Sequence, residues 1–323
     1  MSFTRWPRQQ WAPALAVGLA ALATIFLANG LWMKVLTSVA IFTLTAMSVA
    51  LLYRRLGQIS LGHVALMGLG GWVALRFSHG FSLPFELNLL AGGVVAGLVG
   101  VALAYPALRM RGLYLSLVTL MAAGGFSIVV NNTQFPNGAD GFLGFAVRAT
   151  AYMPRPVLAQ SDAAYFIYCL VVTGLGFLLV HLHEAGKPGR AWALIRRSEA
   201  TAMAAGVNVT LYKVWGFALS GFLAGAAGAL LAGSLQLLDA HSFPPADSVM
   251  ICALTIVGGA WNWFGALIAA LLFRLAPALL NDWGLNGNAA YIFFGLALIH
   301  ALATAPRGVA GKLEEALAAG NRK

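Results

Sequence analysis

Apolar residues recur along this chain in blocks about as long as a bilayer is thick, and that spacing decides the solvent before anything else. The blocks run approximately over 13–33, 35–53, 59–75, 87–105, 113–130, 163–181, 214–235, 248–260, 264–281 and 289–304. A helix crossing a hydrocarbon core of about 30 Å needs roughly 20 mainly apolar residues. Most of the blocks come near that length, while the third and eighth are short enough to be broken or re-entrant helices. Charged residues make up only 9% of the chain, against roughly 25% in soluble domains, so a water-facing surface cannot be built from it. The expected fold is therefore all-α: a polytopic transmembrane helical bundle of about ten spans, forming one membrane domain over residues 1–323.

Charge placement orients the bundle. Threading ten blocks alternately from a cytoplasmic N-terminus puts fifteen lysines and arginines in cytoplasmic segments and four (Lys34, Arg76, Arg148 and Arg155) outside, with Arg274 left inside a block. Short cytoplasmic loops collect Lys and Arg, so this bias predicts both termini in the cytoplasm, as a short N-terminal segment 1–12 and a tail 305–323. The formal net charge of +10 then reports orientation. It forms no continuous basic face of the kind that nucleic acid requires. Arg5 and Arg8 followed by the first apolar run look superficially like a secretory signal, but the run is longer than a typical signal core and no cleavage site follows, so a retained span is expected. Cys169 and Cys252 lie inside apolar blocks without metal-ligand spacing and read as inert core residues.

Two connections are long. The external one, 131–162, contains QFPNGADGFLG, whose Pro, Asn, Gly and Asp residues favour turns. The internal one, 183–213, is basic and helix-prone. There Pro188 and Gly189 break the incoming helix, the run from Arg190 to Ala205 has helix formers throughout, and Gly206 ends it. Ala191, Leu194, Ile195, Ala202, Met203 and Gly206 give that helix an apolar side, while Arg196, Arg197 and Glu199 face water or a partner. A short amphipathic helix projecting from the membrane suits a docking role.

The stretch GQISLGHVALMGLGGWVAL, from Gly57 to Leu75, resembles the SLGH segment of LivM-type permease subunits of branched-chain amino acid ABC importers. Four further stretches agree in order: LRMRGLYLSLVTLMAAGG, NNTQFPNGADG, GRAWALIRRSEATAMAAGVNVTLYK, and a C-terminal part that includes FALSGFLAGAAGALLAG, LTIVGGAWNWFGALIAALL and APRGVAGK. The resemblance covers roughly residues 40–312. It implies a subunit of a bacterial inner membrane that pairs with a second permease, two cytoplasmic ATPase subunits and a periplasmic substrate-binding protein. ATP and Mg would be used by the partners, with no cofactor bound by this chain. It also implies that Glu199, Ala200 and Gly206, with the flanking Arg190, Arg196 and Arg197, dock into an ATPase groove. Thr201 stands where that docking pattern has alanine, which leaves the register of docking open.

A pathway for a small zwitterion needs a few hydrogen-bonding groups at membrane depth without a trap that prevents release. Gln58, Ser60 and His63 supply such groups at the start of the third block. Ser60 and His63 are spaced to share a helical face. His63 has a second reading, as a hydrogen-bonded histidine fixing the glycine-rich segment. Asn131 and Asn132 line the pathway mouth or cap a helix. Arg274 is an intramembrane charge and so a pathway candidate, with snorkelling or pairing to the second permease as alternatives. Asp140, Asp239, His241 and Asp247 place acidic groups and a histidine on the outer side, where they read as docking or solvated charges. Glycine spacings such as Gly93-x-x-x-Gly97 and Gly221-x-x-x-Gly225, with Gly228 following, allow close helix approach.

No phosphate-binding loop, zinc signature or paired-Cys motif occurs. The chain is thus expected to be non-catalytic, and the resemblance implies that it forms half of a pathway for branched-chain or hydrophobic amino acids. Import of urea or short amides is an alternative within the same resemblance. An ion-coupled secondary transporter is disfavoured because every Asp and Glu maps to a loop, a terminus or a block edge. A membrane enzyme would need a catalytic cluster that the sequence lacks.

Overall fold

The computed structural model describes residues 30–110, 112–132, 152–238, 242–284, 292–296 and 308–311. Among them all regular structure is helical. Helix α1 (Gly30–Leu51) runs into a π-helical turn, Leu52–Leu56, and stops at Gly57 with φ +66°. After an extended stretch come α2 (His63–Phe81), α3 (Phe85–Arg109) and α4 (Leu113–Asn132). Helix α5 (Asp162–Ala185) is followed by two short helices, α6 (Lys187–Arg197) and α7 (Glu199–Ala204). Helix α8 (Val209–Leu235) precedes α9 (Pro245–Gly258) and α10 (Trp263–Ala270). A second π-helical turn, Leu271–Leu275, joins α10 to α11 (Ala276–Asp282).

Six helical stretches are long and apolar enough to cross a membrane: 30–56, 85–109, 113–130, 162–185, 209–235 and 264–282. This is a multi-pass membrane architecture, with fewer such stretches among the described residues than the ten blocks anticipated. The first block lies outside them up to residue 29, and the tenth lies outside except for 292–296. Two assumed boundaries are also displaced. Lys34 sits within α1 and Arg76 is buried within α2, so neither marks the end of a span. The third block is a full helix that starts only at His63. The eighth is the 14-residue α9, about 21 Å long at 1.5 Å per residue, which falls short of a hydrocarbon core.

The centre of the bundle is α8, packed against α2 and α3 through glycine. The faces bearing Gly93 and Gly97 on α3 meet Ala218 and Phe222, while Gly221 and Gly225 on α8 meet Ala96 and Gly92. A side chain at Gly70 on α2 would run into the Gly225 backbone. Without a hydrophobic driving force between helices in lipid, close backbone approach is what supplies packing energy. Helix α1 covers α8 from the other side, and 89% of its most apolar window is buried. On α4 and α5 only about a third or less of that window is buried, leaving Leu117, Met121, Ile128, Val171 and Leu175 exposed to lipid or a partner helix. Cys169 and Cys252 are buried free thiols.

Candidate functional site

The GQISLGH stretch is the hub into which five helices send polar groups. Gln58 Nε2 donates to the Ala107 carbonyl of α3 (3.2 Å), and its Oε1 is buried with no partner among the described residues. The Leu61 amide donates to Thr119 Oγ1 of α4 (2.8 Å), and Ser116 Oγ of the same helix donates to the Ile59 carbonyl (3.1 Å). The Val64 amide, one of the donors that a helix start leaves without an intrahelical partner, donates to Ser248 Oγ of α9 (3.1 Å). Ser60 is buried but precedes the helix, so the helical face expected for Ser60 and His63 does not form. Instead the Ser60 carbonyl lies 3.1 Å from His63 Nδ1.

The second nitrogen of His63, Nε2, lies 2.8 Å from Ser220 Oγ of α8, and that hydroxyl also lies 2.9 Å from the Ser48 carbonyl of α1. A carbonyl only accepts, so Nδ1 carries a proton. Nε2 and the Ser48 carbonyl then share the one hydroxyl proton of Ser220. His63 is fully enclosed and ties α1, α2 and α8 together. Ser220, Ser116, Thr119 and Ser248 were not singled out from the sequence; each is a small hydroxyl inside an apolar run, and nothing local tells such a residue from one that bonds only its own helix.

A second cluster gathers on the π-helical turn that follows α1. Glu184, at the end of α5, receives Arg54 and, at 2.7 Å, Arg55 from the π-helical turn. Arg54 Nη1 also donates to the Trp261 carbonyl between α9 and α10 (3.1 Å). Arg196, from the last turn of α6, donates to the Tyr53 carbonyl (2.6 Å) and to the Arg54 carbonyl, with its guanidinium 4.3 Å from the centre of the Trp261 ring. The helix ends at Gly57, and the carbonyls of its last turn are open to such a donor; that of Tyr53 also accepts from the Gly57 amide (3.1 Å). Burial lowers the Arg196 pKa from the ordinary arginine value, opposed by Tyr53 and reinforced by Arg55; a guanidinium starting so high keeps its charge.

The internal loop is built differently from the single helix expected over 190–205. Pro188 occupies the first turn of α6, where its missing N–H costs nothing, so that helix begins at Lys187. Ser198 adopts an extended conformation, φ −164° and ψ 125°, and its Oγ accepts from the Thr201 amide (3.3 Å), capping α7. An N-cap serine starts a new helix, and the chain kinks there. The kink splits the expected apolar face. Ala191, Ile195 and Ala202 are buried with Trp192, whose indole donates to the Tyr212 carbonyl (2.7 Å), whereas Met203 is 60% exposed. Gly206, φ +75°, ends the unit.

Glu199 pairs at 2.7 Å with Lys213, a buried lysine in the first turn of α8. That pair ties the start of α7 to α8, where the sequence reading has Glu199 facing water or a partner. Arg190, Arg197, Ala200 and Gly206 are exposed. Together with Thr201, Met203, Ala204 and Ala205 they leave α7 and its flanks without cover from the described residues.

The remaining candidates lie elsewhere. Asn132 donates to the Ile128 carbonyl of its own helix (2.9 Å), as a residue closing a helix end does, while the Asn131 side chain falls outside the described residues. Arg274 sits on the second π-helical turn, its Nε donating to Ser38 Oγ of α1 (2.8 Å) and its guanidinium 5.0 Å from the centre of the Phe42 ring. Asp140, Asp239 and His241 lie outside the described residues, and Asp247 occupies the first turn of α9. The candidates thus form three groups: the hub under GQISLGH, the latch beside the kinked internal loop, and Arg274 at the far end.

A family model for the permease component of branched-chain amino acid transport systems matches residues 31–302. The chain is 25% identical over 301 residues to the high-affinity branched-chain amino acid transport system permease protein LivM of Salmonella typhimurium, an alignment covering 83% of this chain and 68% of the relative. LivM of Escherichia coli gives the same identity and coverage. The ribose import permease protein RbsC of Haemophilus influenzae is 25% identical over 210 residues, covering 62% of this chain and 60% of that protein. No solved structure matches the chain. With most of its length matched, this chain belongs to the family of permease components of branched-chain amino acid transport systems.

Proposed function

We propose that the chain forms half of the pathway of an ATP-driven importer for branched-chain or other hydrophobic amino acids, coupled through α6 and α7 to a separate ATPase. The observation that carries this reading is the construction of the internal loop. Its inner side is fixed to the bundle by Arg196 on the π-turn carbonyls and by Glu199 on Lys213, while its outer side, with Met203 at its centre, is exposed. A projection that is rigidly held and apolar at its tip transmits force from a docked partner; a merely solvated loop needs neither property. The two LivM relatives support the cargo, and the likeness to a ribose permease marks the breadth of cargo within such proteins.

In this reading the loop of residues 183–213 faces the cytoplasm, as its basic residues favour. A second permease subunit covers exposed apolar surface such as that of α4 and α5. An external binding protein delivers the cargo. The test is expression with the neighbouring genes: two ATPase subunits are expected to co-purify, and Glu199→Arg, which sets a second cation beside Lys213, is expected to abolish uptake. A complex that never retains an ATPase, or uptake unchanged in Glu199→Arg, refutes the coupling. Cargo is read from a thermal-shift screen of the binding protein. A response to leucine, isoleucine and valine supports the assignment, and a response to urea alone overturns it.

A further inference from the structure

At the end of the bundle away from the latch, a cavity of about 530 Å³ opens between the first turns of α1, the last turn of α8, the start of α9 and the junction of α10 with α11. Its size lies in the range of small-molecule sites, roughly 300–1,000 Å³. Ser38 and Arg274 line it, and Ser38 lies eight residues into α1 from Gly30, so the cavity reaches about 12 Å along that helix at 1.5 Å per residue. Three cationic side chains and one anionic side chain face the space: Lys34, Arg155, Arg274 and Asp247.

These charges are not equivalent. Arg155 is held by Asp162 at 2.7 Å and by the Gln160 and Ser234 carbonyls, and Lys34 stands at the exposed rim. Arg274 is aimed by the Ser38 hydroxyl and the Phe42 ring and carried on a π-helical turn, a distortion frequent at functional sites. Asp247, in the first turn of α9, lines the same cavity. Beside the two lie Leu231, Leu235 and Phe273. An arginine within a span and a carboxylate lining the same cavity, next to an apolar wall, match the three parts of one solute class.

We infer that this cavity receives a free α-amino acid, with its carboxylate toward Arg274, its ammonium toward Asp247 and its side chain against Leu231, Leu235 and Phe273. The inference deepens the permease reading and rests on it for direction: the cavity is the entrance on the side opposite the ATPase. It also gives the hairpin of α9 and α10 a role. Asp247 stands at one end of that hairpin and Trp261, held by Arg54 and Arg196, at the other, so movement of the latch changes the spacing between Asp247 and Arg274. Arg and Asp at such a site bind weakly while water still reaches them, which release requires.

The test reads the cavity without requiring transport. Val35→Cys places a thiol in the lining, and Cys169 and Cys252 are buried. Its maleimide labelling in the detergent-purified permease is followed with leucine, with isopentylamine, which lacks the carboxylate, and with 4-methylpentanoate, which lacks the ammonium. Leucine at ten times its Kd is expected to slow labelling by about tenfold, while neither analogue does so. Asp247→Asn and Arg274→Gln are expected to remove the protection without changing the elution volume. Ala278→Cys, on another wall of the cavity, serves if Val35→Cys does not fold. Unchanged labelling at saturating leucine, or equal protection by all three compounds, overturns the inference. A wild-type complex that binds leucine here yet retains no ATPase would instead strike at the importer reading alone.

Discussion

Close backbone approach at the centre of the bundle makes a sharp prediction for Gly228→Ala. A methyl group added there would overlap the Met67 carbonyl oxygen of α2 and stand 2.7 Å from the Gly71 amide nitrogen. An ordinary carbon contact lies at about 3.5 Å or more, so α2 must withdraw from α8 by well over an ångström. No rotamer change can relieve the clash, because both obstacles are backbone. Withdrawal also loosens the contacts of Gly70 with Gly225 and Gly92. Overpacking costs about 1–3 kcal/mol in well-packed interiors, and a backbone clash on two sides sits at the upper end. Alanine returns about 1 kcal/mol through helix propensity, leaving a net loss of about 2 kcal/mol, or roughly thirtyfold in the folding equilibrium. Gly124→Ala on α4 and Gly174→Ala on α5 are the controls, since an added methyl meets nothing within 4 Å at either. Apparent melting followed by fluorescence-detected gel filtration in detergent should show Gly228→Ala well below wild type and both controls at or above it. Equal melting of Gly228→Ala and wild type would refute the packing argument, as would a matching fall in the controls.

Further consequences follow from the polar clusters. Glu184→Gln leaves Arg54 and Arg55 facing one another without their shared carboxylate, and because the cluster is partly buried the loss should fall between the roughly 0–1 kcal/mol of an exposed pair and the ~3–5 kcal/mol of a buried one, about 2 kcal/mol; Glu184→Asp should recover part of the loss in the same melting assay. Ser220→Ala deprives both His63 and the Ser48 carbonyl of a partner and should destabilise by about 1–3 kcal/mol, whereas alanine at exposed Ser82, which makes no such tie, should leave melting within a degree or two of the wild type.

Much of this architecture can be read from the chain because lipid imposes so few solutions: apolar blocks near 20 residues become helices, and Gly57 and Gly206 end their helices as helix-terminating glycines do. What misleads is charge taken as punctuation. Lys34 and Arg76 look like span edges, yet backbone hydrogen bonding within the helix persists through them, since breaking it in lipid costs more than turning a long side chain aside. The kink at Ser198 is written in the sequence as a serine before Glu199, but the helix formers on either side mask it. The partners of the candidate residues are harder. Glu199 meets Lys213 across a chain reversal, His63 meets Ser220 across 157 residues, and neither pairing leaves a local periodic trace. Arg274 stands out as an intramembrane charge, while Asp247, set just after two prolines, resembles loop chemistry until the fold brings it to the same cavity.

The central claim, that α7 is where a motor attaches, is tested most directly by crosslinking. Met203→Cys places a reactive thiol on the exposed tip, and the two native cysteines are buried. In the complex reconstituted with its ATPase partners, a short bifunctional maleimide is expected to join this position to the ATPase, and Gly206→Pro, which disrupts the end of the unit, is expected to reduce that product and the uptake together. Crosslinking to the ATPase from exposed positions on α4 in place of Met203, or full uptake with the α7 tip blocked by a bulky maleimide, would contradict the account.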